Sequence, residues 1–205
     1  MISKTLQTRL KKMALLGLVS ISVFSLAACG GKKKSKGTTN KSTEVTEVDS
    51  EGNVVNLGNL YEGTGYTISA PSNWADAKTS NESLDLMIYD TNITGDFARN
   101  LNIIIEDLSA YSSMDADKYL DAAKTKLVQS GYAVEDGENK DINGVYTTSL
   151  IYSYTTNGYV VKGQQTYFYN EGDKKVYIVT FACAEEEFET YKEAGNEIIN
   201  TFQFD

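Results

Sequence analysis

The sequence predicts an α+β fold in which a central, largely antiparallel β-sheet is flanked by helices. Three observations carry that expectation. Two long runs, Val145–Thr156 and 159–169, flank Asn157-Gly158, a dipeptide whose residues both tolerate the positive φ of a tight hairpin turn. Two other segments repeat their apolar residues at helical spacing. The order along the chain is strands, helix, strands, helix, with hairpins in place of βαβ crossovers.

The first strand candidate is Tyr66-Thr-Ile-Ser69, closed by the turn-rich Ala70-Pro71-Ser72-Asn73-Trp74. Residues 84–89 and 101–108 supply the next two. A helix follows. Ser112 or Ser113 is placed to cap it, Asp115 and Asp117 suit its positive first turn, and Gly131 ends it. Ala116, Tyr119, Leu120, Ala123 and Leu127 form one apolar stripe facing a core. Beyond the Asn157-Gly158 hairpin, Glu171-Gly172-Asp173 turns the chain into a last strand at 176–183. The closing helix sets Phe188, Tyr191, Gly195, Ile198, Ile199 and Phe202 on one face, with Glu185, Glu186 and Glu187 crowding its start.

These elements belong to the last of three parts: 1–28, 29–56 and 57–205. Residues 1–28 hold Lys4, Arg9, Lys11 and Lys12, no acidic residue, and then an apolar run over 13–28. A basic start and so short a run describe a secretory signal peptide, not a stable membrane span. The run ends in Leu26-Ala27-Ala28-Cys29, followed by Gly30, which resembles the lipobox of bacterial lipoproteins. That resemblance implies cleavage before Cys29, a diacylglycerol thioether on its sulfur, and often acylation of the new N-terminus by palmitate or a similar chain. Two or three acyl chains, at ~0.8 kcal/mol per buried methylene, hold a protein lastingly where one does not.

Residues 29–56 read as the lipidated cysteine and a disordered tether, polar and without apolar periodicity. About 26 flexible residues reach roughly 25–30 Å. Lys32, Lys33, Lys34, Lys36 and Lys41 come first, then Glu44, Glu47, Asp49 and Glu51. The lysines either meet anionic headgroups, at ~1 kcal/mol each at most, or belong to a plain soluble spacer; the sequence favours neither. The expected location is the extracytoplasmic face of the cell membrane, with a Lys-rich tether of Gram-positive character.

Composition excludes whole classes of function. The chain has 205 residues, no histidine, two cysteines and one proline. Lacking histidine, it has no His-containing triad and no His-ligated metal site. Two cysteines cannot make a four-thiolate zinc site or a disulfide framework. No GxSxG, P-loop or GxGxxG occurs. Residues 57–205 hold ten Lys and Arg against 24 Asp and Glu, a net charge of −14, so the chain's −9 hides a strongly acidic domain. Such a domain repels phosphates, and no nucleic-acid partner is expected. At ~149 residues it can bury close to 70% of its unfolded surface without staples.

The residues also resemble a known family. Tyr66-Thr-Ile-Ser-Ala-Pro-Ser-Asn-Trp74 is similar to the strand, proline and tryptophan that open PsbP-like domains. Val176-Tyr-Ile-Val-Thr-Phe181, a short acidic link, and a helix carrying Phe188, Tyr191 and Ile198-Ile-Asn-Thr-Phe202 are similar to their end. The resemblance covers roughly 60–205 and extends to DcrB-like bacterial lipoproteins. It implies an α/β/α sandwich and a non-catalytic accessory or assembly role, with no catalytic set to carry over. Metal-related roles proposed for plant PsbP lean partly on histidines, which this chain lacks.

Four groups of residues invite functional readings. Asn139, Asp141 and Asn143 with Gly144 match the first half of an EF-hand loop, but position 12 is Leu150 where a bidentate Glu is needed, so a hairpin turn accounts for them better. Glu185, Glu186, Glu187 and Glu189 suggest a calcium site, yet adjacent helical acids diverge by about 100° and suit the helix dipole; Asp115, Asp117 and Asp121 read the same way. All fourteen tyrosines lie beyond residue 60, and Tyr146, Tyr152, Tyr154, Tyr159, Tyr167, Tyr169 and Tyr177 fall on the last three strand candidates. They serve as cross-strand packing or as an aromatic surface for a protein or glycan. Cys183 reads as a buried free thiol. The expected function is therefore a membrane-anchored, non-catalytic binding or accessory module for an envelope protein. A small-molecule or divalent-cation-binding lipoprotein is the alternative, and a carboxylate hydrolase ranks third. Cys29, for lipidation, is the one site residue assigned. No catalytic, metal or cofactor-binding residue is assigned, and no cofactor is expected.

Overall fold

The computed structural model of the chain describes residues 46–48, 54–56, 58–92, 97–156 and 158–205. The signal segment, Leu26-Ala27-Ala28-Cys29 and the lysine run lie outside the described residues, as does Asn157.

Eight antiparallel strands form the central sheet. In chain order they are β5 (Trp74–Asp76), β6 (Leu86–Asp90), β7 (Asn100–Asp107), β8 (Ala133–Asp136), β9 (Lys140–Ile142), β10 (Val145–Thr156), β11 (Tyr159–Asn170) and β12 (Lys175–Ala184). Their spatial order is β5-β6-β7-β12-β11-β10-β8, with β9 paired to the start of β10. Register at the central hairpin runs from Thr147 opposite Phe168 to Thr156 opposite Tyr159, which leaves the two-residue connection at 157–158. Gly158 there has φ +84°, as a primed hairpin turn requires. Helix α1 (Ala116–Gln129) packs on one face of the sheet, and helix α2 (Phe188–Asn200) packs on the other.

Side chains alternate along each strand, so one set serves each face. Leu101, Ile103, Phe168, Val179 and Phe181 meet α2, while Ile104, Leu150, Tyr167, Val176 and Ile178 meet α1. The stripe of α1 is the one its spacing predicts, with Tyr119, Ala123 and Leu127 buried. In α2, Phe188, Gly195, Ile198 and Ile199 are buried. Gly195 is there for closeness: a Cβ on it would lie 2.6 Å from the Phe181 ring.

The structure departs from the sequence reading in four places. Helices flank the sheet only in part, because α2 shares its face with a second sheet ordered β13-β4-β3. That sheet comprises β3 (Asn59–Gly63), β4 (Tyr66–Ala70) and β13 (Gln203–Phe204). The strand at Tyr66 therefore lies outside the central sheet. Tyr66 and Ile68 are fully buried, and the Phe202 ring joins Tyr66 (5.1 Å between centroids) to Phe168 (4.1 Å) in the main sheet. Second, Trp74 does not merely stop a strand. Its N–H closes a turn onto the Pro71 carbonyl at 2.8 Å, and Trp74–Asp76 then forms edge strand β5.

Third, Asp115 caps α1 in place of Ser112 or Ser113. Its backbone is extended, and its Oδ1 accepts from the Lys118 N–H at 3.0 Å. The carboxylate at this position satisfies an orphan helix donor and meets the helix dipole at once, which a serine hydroxyl two or three residues earlier cannot. Fourth, the stretch read as disordered tether contains a short antiparallel ladder, β1 (Thr46–Val48) with β2 (Val54–Asn56). Four of the six residues in this ladder, Thr46, Val48, Val54 and Val55, are β-branched, the type that favours strands.

Candidate functional site

The EF-hand-like residues form a hairpin. β9 and β10 pair across Asn143 (φ +52°) and Gly144 (φ +80°). Asp141 Oδ1 accepts from the Gly144 N–H at 2.9 Å, whereas Asn139 Oδ1 accepts from the Ser149 N–H at 3.4 Å. Asn143 turns its amide the other way and donates to the carbonyls of Asn200 and Phe202 at 3.0 and 2.8 Å. It ties the turn to the end of α2. The three side chains share no centre.

Nor do the glutamates converge. Glu185–Glu187 form a 3-10 turn leading into α2, Glu185 and Glu186 face solvent, and Glu187 reaches Arg99. Glu189 lies 3.6 Å from Lys162 Nζ. Asp115 pairs with Lys118 through its second oxygen; with its backbone contact, that pairing holds the carboxyl below its usual range. Among the described residues, no three His, Cys, Asp or Glu side chains are grouped to hold a metal ion.

The tyrosines divide by depth. Tyr152, Tyr154, Tyr167 and Tyr177 are buried, Tyr169 is half-buried, and Tyr146 and Tyr159 are exposed. Tyr132, in the link between α1 and β8, lies almost parallel to Tyr154 at 4.8 Å and to Tyr152 at 5.8 Å. Burial pushes all three phenols upward, Tyr154 to about 12, with neighbouring phenols adding to Tyr132 and Tyr152. Beneath α1, the Tyr119 hydroxyl donates to Glu106 Oε2 at 2.9 Å and the Tyr167 hydroxyl to Gln165 Oε1 at 2.7 Å. Cross-strand and interlayer packing thus explains most of these residues. Cys183 is buried and unpaired, as its strand position implies. Burial, aided by Glu187 and opposed by Arg99, pushes its thiol up to about 12, which leaves it protonated and unreactive at neutral pH.

Sequence reasoning missed two features. One is a buried clamp around Arg99, which is 6% exposed. Its Nη2 and Nε donate to Asp90 Oδ2 at 2.7 and 3.1 Å, Nη2 also reaches the Asn92 carbonyl at 3.0 Å, and Nη1 lies 3.3 Å from Glu187. The guanidinium lies 3.8 Å from the Tyr191 ring centroid, while Asn73 donates to Asp90 Oδ1 at 2.8 Å. Burial opposes its charge, but the hydrogen bond and charge of Asp90 outweigh that and raise its pKa. The clamp joins β6, β7 and α2. One signal was available: the chain has only two arginines, and the other, Arg9, falls in residues 1–28.

The other is an open groove of about 380 Å³ at the end of the sheet where β10 starts and β11 finishes. Tyr146, Tyr169 and Phe204 provide aromatic walls, Asn170 and Glu171 polar groups, and Ala116 closes one side. No sequence pattern marks it, since its residues come from α1, β10, β11 and β13.

This architecture, a central antiparallel sheet with a helix on one face and a helix plus a small sheet on the other, is shared with solved structures. Cyanobacterial PsbP (CyanoP) from Synechocystis sp. PCC 6803 matches at a TM-score of 0.51 and 18% identity, over 88% of this chain and 99% of that one. LpqN of Mycobacterium tuberculosis, described as involved in cell envelope biogenesis, matches at 0.54 and 17%, over 69% and 84%. The Saccharomyces cerevisiae Ran-binding protein Mog1p gives 0.48 and 11%, over 82% and 96%. No protein-family model matches the chain, and a search of curated protein sequences returns no match. The fold is PsbP-like.

Proposed function

We propose that the chain is a lipid-anchored protein of the extracytoplasmic membrane face whose PsbP-like domain serves as a non-catalytic binding or accessory module for an envelope protein. The observation that carries this reading is Leu26-Ala27-Ala28-Cys29 closing a basic-then-apolar leader ahead of that fold. The likeness to LpqN, a protein involved in cell envelope biogenesis, supports it. A fold does not by itself fix a function, so the non-catalytic part rests on side chains. Buried Asp90 and half-buried Glu187 are both engaged by Arg99, and buried Glu106 accepts from Tyr119. Cys183 is an inert thiol.

Metabolic labelling with an alkyne-tagged palmitate, in a bacterium that lipidates its exported proteins, tests the anchor. The wild-type chain should take up label and sediment with membranes, and Cys29→Ala should do neither. Unlabelled wild type, or label persisting in Cys29→Ala, would overturn it. For the accessory role, photocross-linking from exposed positions such as Tyr159 in intact cells should trap a reproducible envelope protein, against Cys29→Ala as the unanchored control. If no such partner is trapped, that role is wrong.

A further inference from the structure

We propose that the groove at the β10–β11 end of the sheet binds a small organic ammonium compound, a primary or quaternary amine. The argument begins with its walls. The Tyr169 ring is fixed because its hydroxyl donates to the Met114 carbonyl at 2.8 Å. Phe204 is fixed by edge contacts to Tyr177 and Phe202, at 5.0 and 5.3 Å between centroids. Tyr146, by contrast, lines the groove and is 58% exposed. Two held rings and one exposed ring thus line the groove, and aromatic π-systems attract a cation.

The polar groups agree in sign. Glu171 lines the groove, is exposed, and has no hydrogen bond or ion pair among the described residues. No Lys or Arg lines the groove. Nearby cations stand outside the lining: Lys118 is occupied by Asp115 and by the Ser113 carbonyl, Lys174 and Lys175 follow Glu171 in the β11–β12 turn, and Asp205 follows Phe204 directly. Around this site stands a domain of net charge −14, whose field concentrates cations and repels anions. An anionic ligand would meet no cation in the lining itself and would face Glu171. A neutral sugar would need several converging donors and acceptors, and the Asn170 carboxamide already accepts from the Asp173 N–H at 3.0 Å. An ammonium group needs what is present: aromatic faces and one uncommitted carboxylate.

The proposal is independent of the lipid anchor, and its test separates the two. The full-length chain in detergent is titrated calorimetrically with choline and with cadaverine, against 3,3-dimethylbutan-1-ol, the uncharged isostere of choline, and inorganic phosphate. Both amines should saturate one site, with the neutral isostere and phosphate silent. Glu171→Gln should weaken amine binding by about tenfold, as loss of a charge-assisted contact does. Tyr146→Ala should weaken it by about two- to fivefold, as loss of an exposed cation–π contact does. Thermal melts of both variants should match wild type, since both side chains face solvent. Cys29→Ala should bind amines normally. Equal binding of the neutral isostere, unchanged affinity in both groove variants, or no saturable binding of either amine would each overturn the proposal.

Discussion

On the α2 side of the central sheet, β7 and β12 present Leu101, Ile103, Val179 and Phe181 to a layer of Phe188, Ile198, Ile199 and Phe202. On the α1 side the same two strands present Asn100, Asn102, Glu106 and Thr180, all buried, between Ile104 and Ile178. The α2 face is packed chiefly by shape and area, with the Arg99 clamp and the Gln164–Asn196 bond added. The other buries amides, a carboxylate and phenols, for which a missing partner costs more than a hydrogen bond contributes; most are paired, while Asn100 Oδ1 here and the Tyr66 hydroxyl on the first face are not. An apolar layer can slide a little without losing much. A layer tied by Tyr119 on Glu106 and by Tyr169 on the Met114 carbonyl just before α1 sets the position of that helix. The expectation is that the first face supplies most of the stability and the second specifies where α1 sits.

The sharpest way to break that contrast is to damage the α2 face. Phe181 is 1% exposed, and Phe181→Ala should cost about 3–5 kcal/mol, read as a lower urea midpoint at unchanged slope. Arg99→Ala belongs in the same range, about 3–5 kcal/mol, because it leaves Asp90 buried without its cation. Arg99→Lys should recover little, since one ammonium replaces neither the paired contacts to Asp90 nor the stack on Tyr191. A loss under 1 kcal/mol for Phe181→Ala would mean that the area of this face does not carry the fold.

Next in size is the polar face. Tyr119→Phe keeps the ring and removes one donor from buried Glu106, for an expected loss of about 1–3 kcal/mol. The same face sets an alkaline limit. Burial first, with nearby Glu106 adding to Tyr119 and Tyr167, raises the phenols of Tyr119, Tyr152 and Tyr167 above their usual 10. The native state then keeps protons that the unfolded chain releases near pH 10. Stability from these groups is complete below pH 10 and falls as pH rises above it, by up to about 1.4 kcal/mol per pH unit for each. Replacing all three by Phe should flatten that fall while leaving the part due to Tyr66 on the opposite side. Urea midpoints at pH 9, 10.5 and 11.5 measure it; parallel slopes in variant and wild type would refute the assignment.

The contrast also explains what could be read in advance. Val145–Thr156 was legible to the residue because alternation and an Asn-Gly turn are local properties. Both helices were legible because their stripes repeat within the helix. Hidden were β3, β8 and β13, strands of two to five residues that gain order from partners distant in sequence. Tyr66 pairs with Phe204, a contact no window around either residue contains. The groove was hidden for the same reason, its rings coming from separate strands. The polar character of the α1 face was half visible: the tyrosines stand out in the sequence, and Tyr167 with Gln165 is a local pair within β11, but that Glu106 lies beneath Tyr119 depends on how α1 packs on β7.

The smallest expected effect concerns how the two helices begin. Asp115 caps α1 with its own carboxylate, whereas α2 starts from a 3-10 turn with no side-chain cap. If α2 is fixed by apolar contact and α1 by specific polar bonds, the cap should matter only to α1. Asp115→Ala should speed amide exchange in the first turn of α1 and lower the melting temperature slightly. Asp115→Asn, which keeps an acceptor for the Lys118 N–H, should do less. Because Lys118 and the backbone contact hold the Asp115 carboxyl below its ordinary value of 3.8, its contribution is present above that value. It is lost as pH falls through the lower native one, so wild type and Asp115→Ala should converge in strong acid. Exchange that rises equally in α2 would show the two helices to be coupled through the sheet, and the division of labour between its faces would then be wrong.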